Sequence, residues 1–565
     1  MKTKKINIFL SALLFLILTI SAAAEAQIGS PKTYEHGVVV TGEPNASKAG
    51  VAILQKGGNA VDAAVAVQFA MAVTQPRAGN IGGGGFMIAQ MGDTTVALDF
   101  REKAPLKATQ DMYIEQGELK PMLSREGALA VGVPGSVAGM IKAHKRFGEL
   151  PLSVVMQPAI ELARNGFHIS LAMAHLLNEN AETFAKFDGS AHYFIKKGHK
   201  PYREGDLFIQ KDLAKVLERI VENGREGFYS GATADMIVKT MEKYDGLITH
   251  KDLKQYQAKW REPLTVNFKG YKLFIMPPPS SGGIVVDQIL TMLQPFDLKE
   301  LGYNTAKYVH LVSEAMRRSF ADRAYFLGDP DFVDIPMNKL LSADYNQKRM
   351  ESFDWNEASS SENIGHGKIP GFSESINTTH FSVVDNEGNA VAITTTLNGW
   401  YGSKVAVAGA GFFLNNEMDD FTAKPGEPNM FGLIQGKVNA VEPGKRMLSS
   451  MTPVIATKDG DVRMVLGAAG GPRIITAVLQ TFLNGAVFGM NAQQAIAAPR
   501  FHHQWYPDYI RYEKFGIDKV SRTKLQKMGH TLKTGSVGRG HIIFVDEEGL
   551  HGAPDPRGQG HAAGY

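Results

Sequence analysis

Apolar residues follow a helical spacing through much of the first half of the chain. Residues 45–73 predict two short helices broken at Gly57–Gly58, and their many small apolar residues indicate close packing. Helical periodicity continues from about 150 to 245 and again from 283 to about 326. Residues 96–100 predict a strand. We therefore expect the first half to be mainly helical, with strands between the helices.

The pattern changes after residue 375. Residues 359–375 are rich in Ser, Gly, Glu and Pro, which predicts an exposed linker where a chain end could come free. Apolar and polar positions then alternate through 381–385 and again through 390–396, with a turn at 386–389 between them. This alternation predicts a β-hairpin directly after the linker.

The turn decides which residues face each other across this hairpin. With Glu387–Gly388 as a two-residue loop, Thr379 would pair with Thr396. Thr378 would then begin one strand beside the end of the other. A threonine there, next to a second hydroxyl, suits a nucleophile, but threonine is also simply common in strands. The pattern alone leaves both interpretations open.

The first residues are typical of a secretory signal. Met1–Lys5 carries three lysines, residues 6–20 are almost wholly apolar, and small residues at A-x-A spacing follow up to Ala26. The apolar run is shorter than the roughly 20 residues that span a bilayer, so export is favoured over a membrane anchor. We expect residues 1–26 to be a signal peptide of a periplasmic or secreted protein, with no membrane span after its removal.

Composition narrows the possible chemistry. The 565 residues include no cysteine, which excludes disulfides, thiolate nucleophiles and thiolate metal sites. Any nucleophile must therefore be a hydroxyl, an amine or a carboxylate. The formal net charge is only +3, and no basic stripe with interleaved aromatic residues is present. We therefore expect no nucleic-acid partner.

Several motifs resemble known sites but lack the residues that would complete them. Gly82–Gly85 is followed by no Gly-Lys-Ser/Thr, so close backbone approach explains it better than phosphate binding. His502 and His503 are adjacent and would point different ways in a strand, and no second cluster supports a metal. His380 lies about 7 Å along a strand from Thr378, beyond hydrogen-bond reach. We expect neither a metal nor a cofactor.

A set of segments provides more specific information than any single motif. They are Gly79–Met87, Asp99–Glu102, Pro277–Gly283, Thr378–Asp385, Asn415–Phe421, Leu448–Met451, Gly470–Gly471 and Ala498–Trp505. In this order they resemble segments of the γ-glutamyltransferases, which are N-terminal-nucleophile hydrolases, and the resemblance runs from about residue 33 to 565. It implies an α+β fold, a four-layer αββα sandwich made of two chains cut from one precursor. The divisions would be the signal peptide 1–26, a large subunit 27–377 and a small catalytic subunit 378–565.

The resemblance implies a role for each catalytic residue. Thr378 would attack the carbonyl of Asn377, cut the chain there, and later carry the γ-glutamyl group as an ester. Its freed α-amine titrates near 8 and could act as the general base. Thr396 would donate a hydrogen bond to the Thr378 hydroxyl. Gly470 and Gly471 would supply backbone N–H groups to an oxyanion.

The resemblance also implies how the γ-glutamyl head group is bound. Arg101 would hold its α-carboxylate by a bidentate pair, helped by Ser449 and Ser450. A site of this kind recognises the free α-amino acid end of the donor and does not recognise the departing amine. The residues that would receive the α-ammonium group are Asn398, Glu417 and Asp420.

Two positions depart from the family pattern. Asn377 stands before the nucleophile, where relatives carry Gln, Glu or Asp. Residues 425–432 match the lid of bacterial members, but Phe431 stands where well-known relatives have Tyr. The hydroxyl that would latch the lid to Asn398 is therefore missing, and we expect a looser lid.

The resemblance implies an enzyme that cleaves γ-glutamyl amides, such as glutathione, and passes the γ-glutamyl group to water, amino acids or dipeptides. The alternatives are a cephalosporin or glutaryl acylase, a poly-γ-glutamate-processing relative, and a binding protein that has lost self-cleavage. The lid segment and the combination of Arg101 with Asp420 favour an amino-acid head group over a glutaryl one. Intact Thr378 and Thr396 speak against a binding protein.

Overall fold

Two antiparallel sheets form the centre of the molecule. The structure, a computed structural model, describes residues 30–364 and 378–565. The predicted signal peptide and Asn377 lie outside these ranges. In the described part of the chain the first sheet has seven strands, in the spatial order His561–Gly564, Val38–Thr41, Thr379–Val384, Ala390–Thr396, Gly84–Met91, Thr94–Asp99 and Lys259–Arg261.

The second sheet is formed by strands from both ends and the middle of the chain. Its spatial order is Lys32–Tyr34, Gly549–Pro554, Arg539–Asp546, Asp461–Leu466, Val454–Lys458, Tyr271–Ile275 and Leu264–Phe268, and Ala468–Ala469 also pairs with Arg539–Asp546. The described residues also form short ladders outside the two main sheets. Their strands are Ile114–Glu115 with Glu118–Leu119, Phe167–His168 with Leu207–Phe208, and Phe501–His502 with Ile510–Tyr512 and Leu532–Thr534.

Alternation along the strands of the first sheet separates two hydrophobic cores. Val38 and Val40 point into the core between the sheets, whereas Val39 points to the helices on the outer face. Phe381 and Val383 also face those helices, because side chains alternate with a period of two along a strand. Each strand of this sheet therefore contributes to two layers.

Eleven helices in the described ranges pack on the outer face of the first sheet. Ala60–Thr74 is buried along its whole length, and its alanines allow Pro44–Leu54 to pack closely against it. Both helices were predicted, with the break at Gly57–Gly58. The set comprises Pro44–Leu54, Ala60–Thr74, Ser136–Phe147, Leu152–Asn165, Leu171–Glu179, Ala181–Phe184, Asp188–Phe194, Lys211–Asn223, Glu226–Tyr229, Gly231–Lys243 and His250–Gln255.

A second group of helices covers the second sheet and completes a four-layer αββα sandwich. The predicted helical run from 283 to 326 is confirmed, but it is divided by Pro295 and by Gly302, whose φ is +81°. The group comprises Gly282–Leu293, Leu298–Leu301, Ala306–Phe326, Met337–Leu340, Ala343–Met350, Arg473–Ala486, Ala492–Ala497 and Lys519–Lys527. Short 3-10 turns occur at Pro121–Ser124, Ala128–Ala130, Lys197–His199, Glu417–Asp420 and Lys437–Asn439. No helix in residues 30–364 or 378–565 is long and apolar enough to cross a membrane.

The glycine run Gly82–Gly85 brings backbones together, as expected. A Cβ atom on Gly82 would lie 2.1 Å from the carbonyl oxygen of Phe413, and one on Gly83 would lie 2.1 Å from that of Thr396. No side chain fits at these distances. The run therefore lets the end of the strand Ala390–Thr396 lie against the loop before Gly84–Met91.

The predicted register of the hairpin was wrong by one residue. Thr379 pairs with Thr395, and Val384 pairs with Ala390. The reason is a three-residue loop at 386–388, closed by a hydrogen bond from Asp385 N to Asn389 O. Gly388 has a φ of +79°, which this longer turn requires and which glycine adopts readily. The shift places Thr396 opposite Thr378 instead of Thr379.

The start of the predicted linker is anchored: the expectation of exposure was wrong for Ser361 and Ile364, whereas Ser360, Glu362 and Asn363 are exposed. Ser361 is buried, its Oγ donates to the carbonyl of Trp505 at 2.8 Å, and its N–H donates to Asp508 at 2.8 Å. Serine can make these bonds because its backbone and hydroxyl both carry polar groups. The rest of the predicted linker, 365–375, lies outside the described residues.

Candidate active site

The open end of the hairpin places two threonine hydroxyls side by side. Thr378 directly precedes the strand Thr379–Val384, and its Oγ1 lies 3.5 Å from Oγ1 of Thr396. The Thr396 hydroxyl accepts a hydrogen bond from the N–H of Asn398 at 2.8 Å. The corrected register therefore places a second hydroxyl within hydrogen-bonding distance of the Thr378 hydroxyl.

A glycine turn faces this pair from the second sheet. Gly470 and Gly471 follow the strand Ala468–Ala469, and their φ values are +143° and +59°. The helix Arg473–Ala486 begins two residues later, so its positive N-terminal end lies at the turn. The ring of Phe431 fills the space at Gly471, because a Cβ there would lie 2.7 Å from it. These φ values and the lack of space favour glycine at both positions of the turn.

Arg101 lies at the centre of a buried charge cluster. It follows the strand Thr94–Asp99, and its side chain is fully buried. Its Nη2 lies 2.5 Å from Oδ2 of Asp420, and its Nη1 pairs with Glu417 and, at 3.5 Å, with Glu102. Glu417 and Asp420 both come from the short turn Glu417–Asp420, which brings them to the same side. We call Arg101, Glu102, Glu417 and Asp420 the donor cluster.

The donor cluster contains three acids and one arginine, and the pKa values of the acids are raised. Burial raises the pKa of Glu417 well above its ordinary value, and Arg101 only partly offsets this. Burial likewise raises the pKa of Glu102 and of Asp420. Burial alone would lower the pKa of Arg101, but the charges of the three acids raise it by more, so the pKa lies above its ordinary value. The cluster is therefore electrostatically suited to receive another positive group.

Ser449 and Ser450 lie beside this cluster with a second arginine that the sequence did not single out. Nη2 of Arg323 donates to Oγ of Ser450 at 3.2 Å, and Nε donates to Oγ of Ser281 at 2.9 Å. Arg323 comes from the long helix Ala306–Phe326, far in sequence from the segments noted above. No spacing along the chain links Arg323 to these serines, so the sequence carried no signal for its place in the cavity.

The predicted lid lies closed over the cavity. Phe431 is only 4% exposed, and its carbonyl accepts a hydrogen bond from Gln504 at 3.3 Å. Asn429 donates to Asp420 at 3.2 Å, and the N–H of Met430 donates to Asp419 at 2.9 Å. These bonds hold the lid through polar groups other than a residue-431 hydroxyl. The expected absence of a latch does not leave the lid open in this structure.

Nearly all the predicted site residues meet in one small cavity. It lies between the two sheets, at the end where the hairpin strands start and finish. Gly470 adjoins it through Gly471, and Asn377 lies outside the described residues. The predicted residues that line it are Arg101, Thr378, Thr396, Asn398, Glu417, Asp420, Phe431, Ser449, Ser450 and Gly471. Residues to which the sequence analysis gave no role also line it, namely Arg323, Leu433, Met451, Pro472 and Ile474.

The histidines considered from sequence lie elsewhere. His380 is buried, with Nδ1 2.9 Å from the Thr394 hydroxyl and Nε2 3.1 Å from the Ser382 hydroxyl. Burial lowers the pKa of His380 well below its ordinary value. His502 bonds to Thr476 through Nδ1 and to Gln504 through Nε2. The contacts of these two histidines are those of structural side chains.

One buried group in the described residues has the composition of a metal site. His310, Glu314 and His530 place their ligand atoms within 4.8 Å of one another. Glu314, however, already pairs with Arg317 and Arg318, and Nδ1 of His310 lies 2.7 Å from Nε2 of His530. Two guanidinium groups beside the acid disfavour a cation there. The existing bonds explain this group without an ion.

An αββα sandwich with a threonine at the start of a central strand, facing a backbone N–H turn, defines an N-terminal-nucleophile hydrolase. The comparisons agree with that class. A cephalosporin acylase structure from Bacillus halodurans matches with a TM-score of 0.84 at 26% identity, covering 95% of this chain and 97% of its own. A Helicobacter pylori gamma-glutamyltranspeptidase structure gives a TM-score of 0.56 at 47% identity, covering 59% of this chain and 96% of its own.

Within that class, the chain belongs to the gamma-glutamyltranspeptidase family, whose model matches residues 46–565. It is 45% identical over 544 residues to a glutathione hydrolase proenzyme of Escherichia coli, covering 95% of this chain and 93% of that protein. A protein of the same name from Bacillus subtilis is 37% identical, covering 99% of this chain and 98% of that protein.

Proposed function

We propose that this protein is a self-processing γ-glutamyltransferase that cleaves γ-glutamyl amide bonds, including that of glutathione. It passes the γ-glutamyl group to water or to amino acids and peptides. The observation that carries the proposal is that Thr378 shares one cavity with Arg101, Glu417 and Asp420. A hydroxyl nucleophile is thereby joined to a site of mixed charge that fits an amino-acid head group. The names of the relatives agree with this activity.

Self-processing begins at the same hydroxyl. Oγ1 of Thr378 attacks the carbonyl carbon of Asn377, the amide bond to Thr378 N breaks, and an ester forms between the two residues. Water then hydrolyses the ester, which leaves a carboxylate on Asn377 and a free α-amine on Thr378. Residues 27–377 become the large subunit and residues 378–565 the small one. The name proenzyme, carried by the relatives, supports this division.

In the mature enzyme the α-amine of Thr378 acts as the general base. Its pKa near 8 keeps a useful fraction neutral at physiological pH. The amine takes the Thr378 hydroxyl proton as Oγ1 of Thr378 attacks the γ-carbonyl. Thr396 donates a hydrogen bond to this Oγ1. The N–H groups of Gly470 and Gly471 stabilise the oxyanion at the helix end. The leaving amine takes the proton, and the γ-glutamyl ester remains on Thr378.

The head group binds across the charge cluster. Its α-ammonium group lies among Asn398, Glu417 and Asp420, where it lowers the raised pKa values of the acids. Its α-carboxylate lies at Ser449 and Ser450, on the side of Arg101. Arg101 is already held by the two acids, so it is rigid before the donor arrives. The departing amine makes none of these contacts and is therefore not selected.

The likeness to a cephalosporin acylase is the observation that favours a second function. That structure covers nearly the whole chain, and a Pseudomonas acylase is 38% identical over 83% of this chain. A glutaryl group has no α-ammonium group, however, and would leave the surplus acids of the donor cluster without a counter-charge. The donor cluster therefore supports γ-glutamyl donors over glutaryl ones.

The location of the protein is also a proposal. The charged, apolar and small-residue order of residues 1–26 supports export to the periplasm or the medium. Small γ-glutamyl donors and amino-acid acceptors are the expected partners, with the two subunits held together by the shared sandwich.

One assay tests the proposed function. The purified protein is incubated with γ-glutamyl-4-nitroanilide, with and without a dipeptide acceptor, and released nitroaniline is followed. Glutaryl-4-nitroanilide serves as the matched donor without the ammonium group. We expect fast release from the γ-glutamyl donor and a γ-glutamyl-dipeptide product when acceptor is present. Release from the glutaryl donor alone would identify an acylase.

A further inference from the structure

Arg323 lines the cavity but has no part in the roles proposed above. Its side chain is buried, and two of its three nitrogens donate to the hydroxyls of Ser281 and Ser450. Its Nη1 has no hydrogen-bond partner among the described residues. Burying an arginine in this way is costly unless a charge or a set of acceptors compensates it. The position of Arg323 therefore calls for a functional explanation.

Arg323 fixes the direction of the hydrogen bonds around Ser450. Because Oγ of Ser450 accepts from Arg323, its own hydrogen is available to donate. Oγ of Ser449 likewise accepts from the N–H of Met451 at 3.1 Å. Neither hydroxyl donates to another described residue. The two serines therefore present two O–H donors to whatever lies beside them, which is the arrangement that a carboxylate needs.

The charge of Arg323 is not balanced, in contrast to that of Arg101. Arg101 pairs with acids of the donor cluster, whereas no carboxylate among the described residues forms an ion pair with Arg323. Burial lowers the pKa of Arg323 to about 10, and the charge of Asp420 offsets this only in part. An anion bound near Ser450 would supply the missing negative charge.

We propose that Arg323 determines the selectivity for donors with a free α-carboxylate, by orienting Ser450 and supplying the uncompensated positive charge at this end of the cavity. The α-carboxylate then lies at Ser449 and Ser450, within the field of Arg101 and Arg323, while Asn398, Glu417 and Asp420 receive the α-ammonium group. This inference rests on the proposed function, because it adds a residue to the binding of the same γ-glutamyl head group.

The test compares two donors that differ only at the α-carbon substituent. One is γ-glutamyl-4-nitroanilide, and the other carries an α-carboxamide in place of the α-carboxylate. The ratio of their kcat/KM values is the carboxylate preference, and it does not depend on the fraction of active enzyme. In Arg323→Gln we expect this preference to fall about 10- to 100-fold, as for loss of a hydrogen bond that involves a charged group. An unchanged preference in Arg323→Gln would overturn the proposal.

Two further variants complete the experiment. Arg318→Gln removes a buried arginine of the same helix that is bound to Glu314, outside the cavity, and should leave the preference unchanged. Arg323→Lys keeps the charge, but an ammonium group cannot hold Ser281 and Ser450 in the geometry of a guanidinium. Its preference should fall by about threefold or more. If Arg323→Gln does not fold, a wild-type preference in Arg323→Lys overturns the proposal by itself.

The outcomes separate this inference from the proposed function. If the wild-type enzyme releases no nitroaniline from the γ-glutamyl donor, the proposed function fails. If it does so with a strong carboxylate preference that Arg323→Gln retains, only the role of Arg323 fails. A preference that falls equally in Arg318→Gln would show that the effect is a general consequence of losing a buried arginine.

Discussion

Two buried clusters of arginines and carboxylates in this protein have opposite charge balance. In the donor cluster a single arginine, Arg101, faces Glu102, Glu417 and Asp420, and burial raises the pKa of all three acids. Outside the cluster, the charge of Arg323 lowers the pKa of Asp420 but offsets the effect of burial only in part. Such an arrangement is expensive for the fold, and it is found where a nucleophile is exposed to the cavity.

The second cluster lies on the helix Ala306–Phe326, and we call it the anchor cluster. Arg317 and Arg318 pair there with Glu314, and Arg317 also pairs with Asp508. Burial alone would raise the pKa of Glu314, but the two arginines lower it to about 2. The pKa of Asp508 is also lowered, although burial opposes this, because of its bond to His503 and the charge of Arg317.

The difference teaches how to tell a binding cluster from a structural one. The anchor cluster has as many acids as arginines, so its charges are already matched. It also ties the end of the described range 30–364 to the later part of the chain, through the bond from Ser361 N–H to Asp508. The donor cluster lacks that balance, and a bound ammonium group would supply one of the two missing positive charges. Opposite directions of pKa shift thus separate the two kinds of site.

The largest expected effect comes from removing the nucleophile while both charge clusters stay unchanged. Thr378→Ala removes the attacking hydroxyl and leaves both clusters intact, so the chain should stay uncut and inactive. On a denaturing gel the wild type should give pieces of about 38 and about 20 kDa, and the variant a single band. Serine at this position keeps a hydroxyl and should still be cut. A Thr378→Ala chain that is cut at this bond would show that the nucleophile is misassigned.

The next comparison replaces one arginine in each cluster by lysine. Arg101→Lys keeps the charge but loses the planar fork, and kcat/KM for γ-glutamyl donors should fall by about 2–4 kcal/mol. Processing should continue, because Arg101 is proposed to act on the substrate. Arg318→Lys should instead lower the urea midpoint of unfolding and leave kcat/KM per folded molecule unchanged. Equal loss of processing and catalysis in Arg101→Lys would show that Arg101 is structural.

The contributions of the two clusters to the free energy of unfolding should change with pH in opposite directions. The pKa of Glu314 is about 2 in the folded state against an ordinary 4.5, so its stabilising effect is present above pH 4.5 and lost as pH falls toward 2. The stability difference between the parent and Glu314→Gln should therefore shrink by about 2 kcal/mol from pH 6 to pH 3. Urea unfolding in the uncut Thr378→Ala background measures this on a single chain.

Glu417 provides the matched comparison for that experiment. Its folded-state pKa is raised by burial, so its contribution is present at low pH and lost as pH rises above 4.5. The stability difference between the parent and Glu417→Gln should therefore move against the parent as pH rises. The same pH trend in both variants would contradict the division into two kinds of cluster.

Much of the site could be predicted from the sequence because several of its residues lie close together within short motifs. Asp99–Glu102 and Asn415–Phe421 each contribute residues to the donor cluster within a few positions. The hairpin was also predicted, but its register was not, because Gly388 and the Asp385–Asn389 bond select a three-residue loop that alternation does not reveal. Register depends on turn geometry, and two turn lengths can fit the same alternation.

Arg323 shows a different limit of prediction. It comes from a long helix, and the serines it contacts, Ser281 and Ser450, come from two other segments. No spacing along the chain links these three residues, so only the packed fold reveals them. The charge balance of each cluster was equally hidden, because it depends on which acids are buried together. Contacts between distant segments are what periodicity and short motifs do not encode.

The smallest expected effect concerns the lid and the fate of the γ-glutamyl ester. Phe431 covers Gly471, and in Phe431→Tyr the added hydroxyl could donate to Oδ1 of Asn398, whose Nδ2 already donates to Asn416 at 3.0 Å. That bond would add about 1 kcal/mol to the closed lid, exclude water and favour an amine acceptor. We therefore expect substantial hydrolysis in the wild type and a shift toward transfer in Phe431→Tyr.

The measurement is the ratio of released glutamate to γ-glutamyl-dipeptide, with Phe431→Leu as the control that gains no hydroxyl. Because Asn429, Met430 and Gln504 already hold the lid, the shift should be a few-fold at most. A ratio that stays constant, or moves toward hydrolysis in the Tyr variant, would show that these other bonds alone set lid closure.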